Sequence, residues 1–242
     1  LLLAVVIFDG RSRIASVNAV LVPLFSALYI LAMLFIILRN AEMFPEAVRR
    51  IFTEAFGFRA AAGGFSASLL SSALRIGVSK GIFSSEAGMG SSPIAHAAAE
   101  GTTPYRQGLW GVAEIVIDTF IVSTLTAFAL LLTGHTEMDA VFRSAFGPAG
   151  SYILLAFLAV FAFASILSWV FYADGCIGFL FGTKKKAVSF VFRLLSVLFV
   201  FGGVFLSGEA VWAAADIFNA LMIFPNLFML FIYRKEIKYG VL

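Results

Sequence analysis

Runs of about 20 apolar residues recur along this chain, at 17–38, 65–88, 109–133, 152–181, 188–206 and 211–233. That is the length an α-helix needs to cross the hydrocarbon core of a bilayer. The pattern predicts an all-α integral membrane protein with five to six spans. Over 43–57 the rule changes: Phe44, Val48, Phe52 and Phe56 stand at helical spacing with charges between them. This predicts an amphipathic helix lying at the interface or capping an external vestibule. A shorter version recurs at 135–147, with Thr136 as N-cap and Phe142 and Phe146 four apart on one face. The run at 65–88 is interrupted by Gly77, Ser79, Lys80 and Gly81. Hydrocarbon offers no hydrogen bonds to freed backbone, so a helix broken there must line a cavity or be buried in protein. The pattern therefore predicts a broken helix with a binding site at the break.

Composition sharpens the class. Hydrophobic residues make up 61% of the 242 and Phe alone numbers 28, against about 45–50% apolar in soluble domains. The net charge of +3 matters through its placement. Arg11, Arg13, Arg106, Lys184, Lys185, Lys186, Arg234, Lys235 and Lys238 fall in one set of alternate loops. Arg39, Arg49, Arg50, Arg59 and Arg143, interspersed with acids, fall in the other. The positive-inside bias places the first set, and the C-terminus, in the cytoplasm, with the lysine run as an orientation and anionic-lipid anchor. Membrane lipid is the expected surrounding partner, and no nucleic acid is expected. A single cysteine, Cys176, excludes a disulfide framework within the chain. The opening LLLAVVIF lacks a basic region, a cleavage site and a Met. It reads as the tail of an earlier helix, so the chain is expected to be the C-terminal portion of a longer protein.

Candidate chemistry centres on the interrupted run. Gly77 and Gly81 remove side chains and would let a ligand approach exposed backbone, with Ile76 and Phe83 as an apolar wall; the alternative is that these glycines only permit close helix packing. Arg75 and Lys80 flank the break, where a charge costs roughly 2.5–3.5 kcal/mol on insertion scales and so needs a partner. Glu86 is the expected partner of Lys80, and a gating or structural ion pair is the favoured role for these groups. Glu114 and Asp118 are four apart on the next span, hence on one face, and intramembrane carboxylates are functional candidates. The last span carries Asp216, Asn219, Pro225 and Asn226, for which packing is favoured. His96 and Glu100, also four apart, make too weak a metal site and read as surface.

The string GIFSSEAGMGSSPIAHAAA at 81–99 resembles the signature of the alanine or glycine:cation symporter family, GxFSNEAGxGSAP followed by an alanine-rich run. Ser85 stands where that family usually has Asn. DTFIVSTLT, beginning at Asp118, is similar to the family's DT-containing helix, which supports Asp118 as a coupling or gating residue. The resemblance implies a LeuT-type fold of two inverted five-helix repeats, this chain supplying the second repeat and the last helix of the first. It further implies a sodium site with the Ser165 hydroxyl and the backbone carbonyl of Ala164 as ligands; family members commonly have a Ser-Thr pair at that point. Hard cations take oxygen ligands. The implied activity is Na⁺-coupled symport of a small neutral amino acid, alanine or glycine, across the bacterial inner membrane by alternating access, with half of the site supplied by a missing N-terminal repeat. A LeuT-type carrier for another solute, coupling by H⁺, and a non-transporting membrane scaffold are the competing expectations. No set of nucleophile, base and acid points to an enzyme.

Overall fold

The computed structural model describes residues 2–56, 64–182 and 185–239; Gly57, Arg59 and Lys184 of the sequence reading lie outside them. The described chain is helical throughout. After α1 (Leu2–Asp9) come α2 (Arg11–Arg39), α3 (Phe44–Phe56), α4 (Gly64–Ser85) and the short α5 (Ser92–His96). Then α6 (Pro104–Ile115) runs through a π-helical turn at Val116–Val122 into α7 (Ser123–Thr133). The remainder is α8 (Met138–Phe146), α9 (Gly150–Phe181), α10 (Lys185–Gly202), α11 (Gly208–Ile232) and α12 (Arg234–Tyr239).

Among the described residues five helical segments are long and apolar enough to cross a membrane: Arg11–Arg39, Pro104–Thr133, Met138–Phe181, Lys186–Phe205 and Gly208–Ile232. The chain is a multi-pass membrane protein. Its helices leave rings such as Phe179, Phe199 and Phe224 exposed, as suits a surround of hydrocarbon rather than water. α4 is not one of the five, because its serines, Arg75 and Lys80 dilute the apolar run.

The expected break at Gly77–Gly81 is not where the helix ends. α4 continues unbroken to Ser85, and the turn follows at 86–91. A glycine costs only about 1 kcal/mol in a helix interior, less than the backbone hydrogen bonds a break would free. What does break it is a run of left-handed residues: Glu86 at φ 52°, Gly88 at φ 80° and Gly90 at φ 81°. Glu86 is the one described non-glycine residue at positive φ, a costly conformation for a side chain with a Cβ.

The chain divides into two compact units. The first comprises 1–22, 86–114 and 162–242. Its buried apolar cluster joins Ile7 of α1 and Ile14 of α2 to Leu167 and Val170 of α9. The second comprises 23–85 and 115–161. There Met33 and Ile36 of α2 pack with Ala129 of α7, Val141 and Phe142 of α8, and Leu154 and Phe157 of α9. Tyr29 sets its ring edge-on to Phe157 and Phe161 and shares a hydrogen bond with Thr126 at 2.9 Å. Helix α3 covers Phe44–Phe56, with Glu46 and Arg49 paired at 2.7 Å on an exposed face. Arg49 holds the Glu46 carboxyl below its ordinary range.

Candidate functional site

In the first unit the segment after α4 is a compact polar loop fastened at several points. The Ser91 hydroxyl, fully buried, donates to the Glu86 carboxylate at 2.6 Å. Asn226 Nδ2, from the middle of α11, donates to the Gly88 carbonyl at 2.9 Å. Gly90 passes so close to Asn226 that a Cβ there would stand 2.9 Å from the amide oxygen. Position 90 therefore requires glycine twice over, for its φ and for its neighbour. The Gly88 carbonyl freed at the loop is met by a side chain, and the Met89 N–H by the Glu86 carbonyl, as apolar surroundings demand.

Beyond the loop a second polar cluster pins α5 to α6. His96 Nδ1 meets Gln107 Oε1 at 2.7 Å, and its Nε2 lies 3.3 Å from Glu114 Oε2. Its side chain is 18% exposed, so His96 is not the surface residue its Ala-rich context suggests, and its carboxylate partner is Glu114. Among the described residues no group of three or more metal-ligating side chains occurs.

A third polar node lies where α2 meets α9. Asn18 Nδ2 donates to the Ala164 carbonyl at 3.1 Å and to the Ser168 hydroxyl at 2.9 Å. Ser168 in turn donates to that same carbonyl at 3.1 Å. The Asn18 amide oxygen is buried and accepts no hydrogen bond. This node gathers a carbonyl, a hydroxyl and a free amide oxygen, all hard donors of the kind Na⁺ takes. Ala164 is 4% exposed, whereas Ser165, one residue on, is exposed.

In the second unit Ser84, in the last turn of α4, donates to Asp118 Oδ2 at 2.6 Å. Asp118 sits in the π-helical turn, where Ser123 closes back onto its carbonyl at 3.0 Å. π-Bulges recur at functional positions because the extra residue turns side chains out of the α register. The neighbouring Thr119 hydroxyl is buried without a hydrogen-bond partner. Gly77, Lys80, Gly81 and Ser84 follow one another at i, i+3, i+4 and i+7, so they share one stripe of α4. A Cβ added at Gly77 or Gly81 would meet nothing within 4 Å among the described residues. Ile76 is 55% exposed, Arg75 is exposed and Phe83 is half-buried.

Sequence reasoning singled out Asp118, Glu86 and Ala164 but not Ser84, Ser91, Asn18 and Ser168. Asn18 carried a usable signal, an amide within an otherwise apolar run. The serines carried none, since a Ser on an apolar helix most often bonds its own preceding turn.

Comparison with known proteins gives the family. The sequence profile described as the sodium:alanine symporter family matches residues 1–240. An uncharacterized transporter of Haemophilus influenzae is 39% identical over 247 residues, covering 98% of this chain and 54% of that protein. The sodium/alanine symporter AgcS of Methanococcus maripaludis is 36% identical, covering 93% of this chain and 50% of its own length. The probable sodium/glutamine symporter GlnT of Bacillus subtilis is 35% identical, covering 96% and 49%. No solved structure matches. The chain spans about half the length of the curated relatives it matches. With the signature string folded into a fastened loop and a family match along nearly its whole length, this chain belongs to the sodium:alanine symporter family.

Proposed function

We propose that the protein carrying this chain couples Na⁺ entry to uptake of a small neutral amino acid, alanine or glycine, across the cell membrane by alternating access. The observation that carries the reading is the whole-length family match together with the non-helical signature loop at 86–91. Loops of that kind persist at membrane depth where they line a cavity. The reading includes the LeuT-type arrangement, with the chain as second repeat plus the last helix of the first, and a cytoplasmic C-terminus. Its solute lies along α4, on the stripe of Gly77 and Gly81, with Ile76 and Phe83 as apolar wall. The remaining contacts come from the part of the relatives' length that this chain does not cover. Na⁺ takes the Ala164 carbonyl and the Ser165 hydroxyl, the carbonyl giving up the hydrogen bonds it accepts from Asn18 and Ser168 when the ion binds. Arg75, Lys80, Glu86 and Asp118 serve gating or coupling.

The test is uptake of labelled alanine and glycine by full-length protein in liposomes. Uptake should rise with external Na⁺ and collapse when choline replaces it. A second reading, coupling by H⁺, draws support from the Asp118 carboxylate in its π-helical turn. Uptake unchanged in choline but abolished by a proton uncoupler would establish that reading in place of the first.

A further inference from the structure

In the first unit α1, α2, α9 and α10 line an open cavity of about 400 Å³ bordered by Phe8, Arg11, Asp174, Gly178, Lys186, Ser189, Phe190 and Arg193. Three of these are cations and one is a carboxylate. Asp174 is almost fully buried and paired with Arg193, whose Nε donates to it at 3.1 Å. That pair neutralises one charge and leaves Arg11 and Lys186 in excess. Arg11 lays its guanidinium 4.2 Å over the Phe171 ring, and its buried Nε has no hydrogen-bond partner. Lys186 is exposed. Arg11 and Lys186 also belong to the first turns of α2 and α10, where unpaired backbone N–H groups and the helix dipole favour negative charge.

We propose that this cavity binds the phosphate group of an anionic phospholipid. A phosphate presents the acceptor oxygens that the Arg11 Nε lacks among the described residues and that Lys186 and the Ser189 hydroxyl can also donate to, and arginine is suited to recognise it. The lipid source follows from the wall. Phe8 and Phe190 pack at 5.5 Å between ring centres and are both exposed, and Val191, Leu194 and Leu198 continue an exposed apolar face along α10. Acyl chains can follow that face while the headgroup sits at the helix ends, as in basic pockets between membrane helices. Gly178 lines the cavity and an added Cβ there meets nothing within 4 Å, so a larger side chain at 178 would fill space that the lipid uses.

Native mass spectrometry of the full-length protein, delipidated and offered phosphatidylglycerol, phosphatidylcholine of the same acyl chains, or inorganic phosphate, tests the site. Phosphatidylglycerol should be retained in preference to phosphatidylcholine. Lys186→Gln, at an exposed position that leaves packing alone, should weaken retention about fivefold, as loss of about 1 kcal/mol per basic group implies. Gly178→Leu should abolish it with every charge still present. Equal retention of both lipids, or of phosphatidylglycerol by wild type and both variants, overturns the site. Stabilisation by inorganic phosphate without retention of phosphatidylglycerol overturns the lipid as its occupant.

Discussion

Asn226 donates its side-chain amide to the carbonyl of Gly88, 138 residues earlier in the chain, and its oxygen stands where a Cβ at Gly90 would have to go. One side chain of α11 thus both anchors the signature loop and fixes glycine at one of its positions. Gly90→Ala should destabilise through the φ of 81° and through the collision together. Asn226→Ala removes the collision and the anchor but leaves the φ penalty. The two changes should therefore be non-additive, the double variant melting higher than the sum of single losses predicts. Thermal unfolding of the four proteins checks this; strict additivity would mean that the loop is not seated on Asn226.

Ser84 donates a short hydrogen bond to Asp118 Oδ2, and a side-chain hydrogen bond contributes about 0.5–1.5 kcal/mol net. Ser84→Ala should destabilise by about that amount and should also alter transport if Asp118 serves coupling. Ser84→Thr keeps the hydroxyl and should restore most of both. Restored stability without restored transport would assign the bond to structure alone.

The Ala164 carbonyl accepts from two side chains, Asn18 and Ser168, while Ser165 is exposed. Ser165→Ala should raise the Na⁺ concentration giving half-maximal uptake and leave the solute KM, measured at saturating Na⁺, nearly unchanged, since it deletes one oxygen ligand and little volume. An unaltered Na⁺ dependence removes Ser165 from the site.

Glu46 titrates below its ordinary 4.5, chiefly because Arg49 hydrogen-bonds to it. A depressed carboxyl stabilises above its unfolded value and loses that contribution as pH falls through its folded one. Helix α3 should therefore keep its structure at neutral pH and loosen below about pH 4.5, and Arg49→Gln should move the Glu46 titration upward. NMR titration of the Glu46 side chain reads this directly.

The membrane spans were legible because apolar length is a sum over many residues, so no single substitution blurs it. α3 was legible for a related reason: four phenylalanine or valine positions agree on one face. The break in α4 was misplaced because Gly77 and Gly81 are only permissive, whereas the left-handed turn at Glu86, Gly88 and Gly90 depends on Asn226, which is remote in sequence. The polar node of Asn18, Ala164 and Ser168 was hidden likewise. A backbone carbonyl leaves no mark in a sequence, and the amide that meets it comes from another helix.

Gly77 is the position where binding and packing readings part most cleanly. If it served helix packing, a neighbour should stand against it, yet a Cβ built there meets nothing within 4 Å among the described residues, so Gly77→Val should fold and insert with its melting temperature nearly unchanged. If the solute occupies that space, the added volume competes with it, and overpacking a fitted interior costs about 1–3 kcal/mol. Alanine, with its methyl group, should then be lost first and glycine last. Binding of both amino acids to purified full-length wild type and Gly77→Val, measured beside thermal unfolding, decides between them. Equal loss of both solutes with a lowered melting temperature would return Gly77 to packing and remove it from the site.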